Sequence, residues 1–106
     1  MIQLVVRNVK IEHLELFRAW MAQVNGPRRQ EALATLADEG CSHELAVLIE
    51  GPEGPVVIYA REVESVEHSR MAADSSKHAI DKEHLEVMGR AIGEPVLLES
   101  LLDLLP

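Results

Sequence analysis

The chain has 106 residues, of which 47% are hydrophobic, a size and composition that suit one folded domain spanning the whole chain and exclude a disordered one. It carries 18 acidic against 10 basic residues, for a net charge of −8. Nucleic acids and anionic membranes are held by clustered Lys and Arg, and here only Arg28 and Arg29 adjoin, so both are excluded as partners.

From Ile2 to Arg7, apolar and polar residues alternate with β-branched content, which predicts a first strand. Ile11 to Val24 reads as a helix, because Ile11, Leu14, Phe17, Met21 and Val24 recur every three to four residues, with Leu16 and Trp20 widening the stripe. Asn25-Gly26-Pro27 breaks it. Pro27 is suited to open a second helical piece, which Glu31 to Glu39 continue with Leu33, Leu36 and Ala37 inward and Gly40 as its stop.

Ser42 to Glu50 and Pro55 to Glu62 form a predicted hairpin around Gly51-Pro52-Glu53-Gly54. Ser65 caps a helix running to about Ala73. After a polar linker, Asp81 caps another, with Ile80 and Leu85 at staple positions and Leu85, Met88 and Ile92 as its inner stripe. Val96 to Leu102 has the leucines of a helix, but it is short and bounded by Pro95 and Pro106, and it is assigned as the fourth strand. The order is β-α-β-β-α-β with a broken helix in each crossover. This is an α+β, ferredoxin-like pattern with a four-stranded antiparallel sheet and its helices on one face.

No stretch has the basic start and apolar run of a secretory signal, and none approaches the ~18 apolar residues of a membrane span. Cys41 is the single cysteine, so no internal disulfide forms. These features lead to the expectation of a cytoplasmic protein.

The strands are apolar on both sides, although one chain's helices cover only one side. An antiparallel sheet with a wet face reads apolar in and polar out. Assigning the purely aliphatic sets to the helix side (Ile2, Leu4 and Val6; Leu45, Val47 and Ile49; Val56, Ile58 and Ala60) leaves a second face. That face carries Gln3, Val5, Arg7, Glu44, Ala46, Leu48, Val57, Tyr59, Arg61, Leu97, Glu99 and Leu101. Two readings of it stay open. It is the interface of a homodimer, with the charges paired or at the rim. Alternatively, two such sheets enclose a cavity for a small, anionic molecule. In the second reading Arg7 or Arg61 grips the anion, Glu44, Glu99 or Tyr59 acts as acid or base, and Gln3 and Trp20 also line the pocket. A structural or regulatory dimer without catalysis is the alternative function.

His78, Asp81 and His84 fall within seven residues, a spacing that raises metal or proton-transfer chemistry. Asp81 already has a capping role, and a metal needs three or four converging ligands. No metal and no cofactor are therefore expected, and His78 and His84 remain weaker site candidates. Gly-rich phosphate loops, CxxC, HExxH and GxSxG motifs do not occur.

The tryptophan helix, Arg29-Gln30-Glu31-Ala32-Leu33 with Thr35-Leu36, Glu39 before the second strand, and Ile80-Asp81-x-x-His84 span nearly the whole chain. In these features the chain resembles a family of small bacterial proteins known only as a domain of unknown function. More broadly it is similar to the dimeric α/β-barrel superfamily, which includes antibiotic-biosynthesis monooxygenases, stress-response barrel proteins and sugar mutarotases. The resemblance implies ferredoxin-like subunits packed sheet to sheet as dimers. It carries no mechanism over, because the superfamily hosts unrelated chemistries.

Overall fold

A computed structural model describes all 106 residues. Strand β1 (Ile2–Val9) leads through a single 3-10 turn, Ile11–His13, into helix α1 (Leu14–Asn25) and then helix α2 (Arg29–Asp38). Strands β2 (Cys41–Gly51) and β3 (Gly54–Val63) form the hairpin. Helices α3 (Val66–Asp74) and α4 (Ala79–Ala91) fill the second crossover before strand β4 (Ile92–Pro95). The four strands are antiparallel in the order β2-β3-β1-β4, an α+β arrangement compatible with the ferredoxin-like pattern.

Local chemistry sets several boundaries as expected. Gly40 ends the first crossover at φ +65°, the left-handed conformation in which a Cβ is strained, and its N–H bonds to the Ala37 carbonyl. The Ser65 hydroxyl accepts the N–H of His68 and caps α3. Gly51 pairs with Gly54 across the two-residue hairpin loop.

Other boundaries move. The fourth strand is not Val96 to Leu102 but the four residues Ile92–Pro95, because α4 ends at Ala91 and Ile92 is already extended. Pro95, which has no N–H, sits at the sheet edge, where none is needed. Asp81 is not the cap of α4. His78 holds that position, without a side-chain bond, and Asp81 lies in the first turn, where its carboxylate accepts the Ser76 hydroxyl. Leu85 is 71% exposed and neither staples nor packs. The inward line of α4 is instead Ile80, His84, Met88 and Ala91. In α2, Thr35 is buried and Leu36 half-buried, whereas Leu33 and Ala37 are exposed, so only Leu36 of the expected inward set turns in.

The largest correction concerns the sheet. Val57 and Tyr59 of β3 pack with Val9, Leu14, Phe17 and Ala91 in one core cluster, joined by Val5, Ala46, Leu48, Met21 and Met88. The face carrying Gln3, Arg7, Glu44, Tyr59 and Arg61 is therefore the one the helices cover. The aliphatic face is bare: Ile2, Leu4, Leu45, Val47 and Ile49 are 42–72% exposed. The expectation assumed that the most apolar face covers the chain's own core. Here that core takes the mixed face, whose polar groups find partners on the helices, and the uniformly aliphatic face is left without a cover.

Candidate functional site

The register across β1, β3 and β2 stacks the covered face in rows. Gln3, Arg61 and Glu44 are directly paired. Val5, Tyr59 and Ala46 form the next row, and Arg7, Val57 and Leu48 the third. A register shift between Cys41 and His43 leaves Ser42 as an extra residue, which brings Cys41 and Glu44 to the same face despite their odd spacing.

Arg61 is the hub of the first row. Its Nε donates to Glu44 Oε1 at 2.9 Å, and its Nη1 donates to Gln3 Oε1 at 3.1 Å and to Ser69 Oγ of α3 at 3.0 Å. Its Nη2 lies 3.3 Å from Glu39 Oε1, and the side chain is 13% exposed. One guanidinium thus ties three strands to α3 and to the end of the first crossover, with each of its three nitrogens engaged. Burial pushes the Glu39 carboxyl above the usual carboxylate range, against the pull of Arg61.

A second pair lies between the helices. Trp20 of α1 donates its indole N–H to Nδ1 of His84 on α4 at 2.8 Å, with ring centroids 6.2 Å apart. Arg28 stands 5.6 Å from the indole centroid and is itself held by Glu31 and Glu83. Because Nδ1 accepts, neutral His84 carries its proton on Nε2. Burial lowers the His84 pKa, and the carboxylates of Glu44 and Asp81 pull the other way. A neutral imidazole of this tautomer presents a hydrogen-bond donor. It cannot accept a proton at Nε2 while the Trp20 bond holds.

Beside these groups, a cleft of about 570 Å³ opens between the α1–α2 corner and β2. Its apolar wall includes Met21, Leu33, Leu36 and Ala46. Tyr59 and Glu44 meet it from the sheet, and Asn25 and Arg29 from the helices. Burial raises the Tyr59 phenol well above its ordinary value, and the Glu44 charge adds to this, so the phenol remains a donor. Its hydroxyl is 3.8 Å from Met88 Sδ, a weak contact. Arg28 is ion-paired to Glu31 and Glu83, whereas Arg29 has no such partner and is exposed at the cleft.

The sequence-derived candidates therefore separate. Gln3, Glu44, Tyr59 and Arg61 share the covered face, and Trp20 meets His84. Arg7 lies two rows from Arg61, donates Nη2 to the Gly93 carbonyl at 3.0 Å, and leaves its Nε buried without a partner. Glu99 lies in the exposed segment after β4, outside both the sheet and the cleft. His78 is on the surface, with its Nε2 2.7 Å from Asp38 Oδ2, and that carboxylate raises its pKa. No three His, Cys, Asp or Glu side chains converge as a metal site. Arg29, Asn25 and Glu39 escaped the sequence reading. Arg29 and Glu39 stood within the motifs that carried the resemblance, but their side of the fold could not be read from spacing.

The family of unknown function DUF6176 matches residues 1–104. The chain belongs to that family. No curated protein matches it. The matched span of this DUF6176 chain takes in every strand and helix, and so both the cleft and the polar row. None of its helices is long and apolar enough to cross a membrane.

Proposed function

We propose that this chain is a homodimeric subunit that binds a small amphipathic anion in the cleft between the α1–α2 corner and β2. The observation that carries this reading is the cleft itself. Its volume, about 570 Å³, falls in the range of small-molecule sites, and its apolar wall and few polar groups match their composition. Arg29 is the unpaired cation at its edge, suited to a carboxylate or phosphate. Tyr59 offers a donor and Glu44 an acceptor at its floor. The reading moves the ligand from between two sheets to the helix side of one protomer, and it moves the anion grip from Arg61, which is already ion-paired, and from Arg7, which lies outside the cleft, to Arg29.

The bare aliphatic face supports the dimer. Fully burying each of its side chains is worth roughly 1.5–3 kcal/mol, a gain that a second copy of the chain covering that face would supply. The cytoplasm fits a reduced Cys41.

A thermal-shift screen of small carboxylates and phosphates against the full chain tests the binding reading. Binders should raise the melting temperature of the native protein, and Arg29→Ala and Tyr59→Phe should each abolish the shift without lowering the melting temperature of the free protein. If every binder stabilises both variants as it does the native chain, the cleft is not the site.

A further inference from the structure

Beyond β4 the chain carries Leu97, Leu98, Leu101, Leu102, Leu104 and Leu105, with Glu99, Ser100 and Asp103 between them. At 100° per residue the six leucines fall within an arc of about 160°, and the three polar residues fall together on the opposite side. This is the pattern of an amphipathic helix, yet the segment has no regular structure and its leucines are 54–95% exposed. The physical reason is that a helix of fewer than ~12 residues is marginal in water unless its apolar side is packed against something.

The same molecule exposes the aliphatic sheet face, and in the single chain these two apolar surfaces do not cover one another. They nonetheless meet at the edge of the sheet, where the segment begins. The Val96 N–H bonds to the Val6 carbonyl, and Val6 is the residue of that face in β1 that is buried. The chain therefore leaves β4 from the edge of the bare sheet with its leucines exposed.

We propose that residues 97–105 fold as an amphipathic helix on the bare sheet face of a second copy of this chain, with the leucines inward and Glu99, Ser100 and Asp103 in solvent. The proposal rests on the dimer reading above and adds the segment that completes the interface. Each copy supplies both a bare sheet face and its cover, so the exchange is reciprocal and closes at two copies.

The test uses the full chain with the photoreactive residue benzoylphenylalanine at position 101, prepared as an equal mixture of isotopically heavy and light protein. Crosslinks from position 101 to peptides of β1, β2 or β3 in heavy–light pairs are expected, together with slowed amide exchange across residues 97–105. The variant Leu101→Ser with Leu104→Ser, both at exposed positions, should raise the dimer dissociation constant about tenfold or more. Crosslinks confined to single copies would show the segment folding back on its own sheet and overturn the proposal. A dimer that is unaffected by the double variant and has unprotected amides would overturn it while leaving the dimer itself standing. A chain that sediments as one protomer would overturn both.

Discussion

The indole N–H of Trp20 donates to Nδ1 of His84 across the α1–α4 contact at 2.8 Å, and this one bond sets the tautomer and the orientation of the imidazole. It also explains why α4 turns His84 inward and leaves Leu85 in solvent. The buried indole needs an acceptor, and burying Leu85 in place of His84 would leave that donor unpaired.

His84 should titrate below the ordinary histidine value of about 6.5, with its neutral proton on Nε2, both readable from the imidazole nitrogen shifts in an NMR pH series. A base whose folded pKa is lowered is held neutral by the fold. Its contribution to stability is complete above the ordinary value and is lost as pH falls from there towards the folded value, because the unfolded chain takes up the proton first. His78 moves the opposite way. It should titrate above the ordinary value because of Asp38, so its small contribution is present below the ordinary value and lost as pH rises through the folded one. A His84 resonance titrating above that of His78 would contradict the burial assignment.

His84→Leu should cost about 1–3 kcal/mol, the penalty for leaving the Trp20 donor buried without an acceptor. Trp20 is the single tryptophan, so its emission during urea unfolding reads this contact directly. An unchanged unfolding midpoint would mean that the indole finds another partner.

Arg61→Met should destabilise the fold by roughly 3 kcal/mol, because it strands Glu39 and Glu44 without their counter-ion. Adding Glu39→Gln and Glu44→Gln to that variant should recover part of the loss by removing the stranded charges. Urea unfolding of the single and triple variants decides this. If the triple variant is the less stable, the hub acts through more than charge compensation.

Val47→Asp should abolish the proposed dimer while leaving the protomer folded, since Val47 is on the bare face and an exposed substitution typically costs under about 0.5 kcal/mol. Sedimentation velocity alongside circular dichroism separates the two effects. A dimer that tolerates the aspartate would place the interface elsewhere.

The sequence by itself determined the order of strands and helices, the hairpin at Gly51–Gly54, the breaks at Gly26-Pro27 and Gly40, the Ser65 cap and the presence of two apolar sheet faces. All of these follow from interactions within a few residues: alternation, turn conformation and capping. It also picked out Gln3, Arg7, Glu44, Tyr59 and Arg61 as one set, because period-two alternation places such residues on a common face whatever lies above it, but it wrongly added Glu99, which lies beyond the sheet. Only the tertiary structure decided which face the helices cover. Alternation is symmetric between the two faces, and the choice turned on long-range partners: Ser69 and Glu39 for Arg61, Met88 for Tyr59, and His84 for Trp20 on the neighbouring helix. The cleft with Arg29 at its edge belongs to the same class of fact. It depends on how the α1–α2 corner stands off β2, a gap between elements that are distant in sequence and that no local pattern encodes.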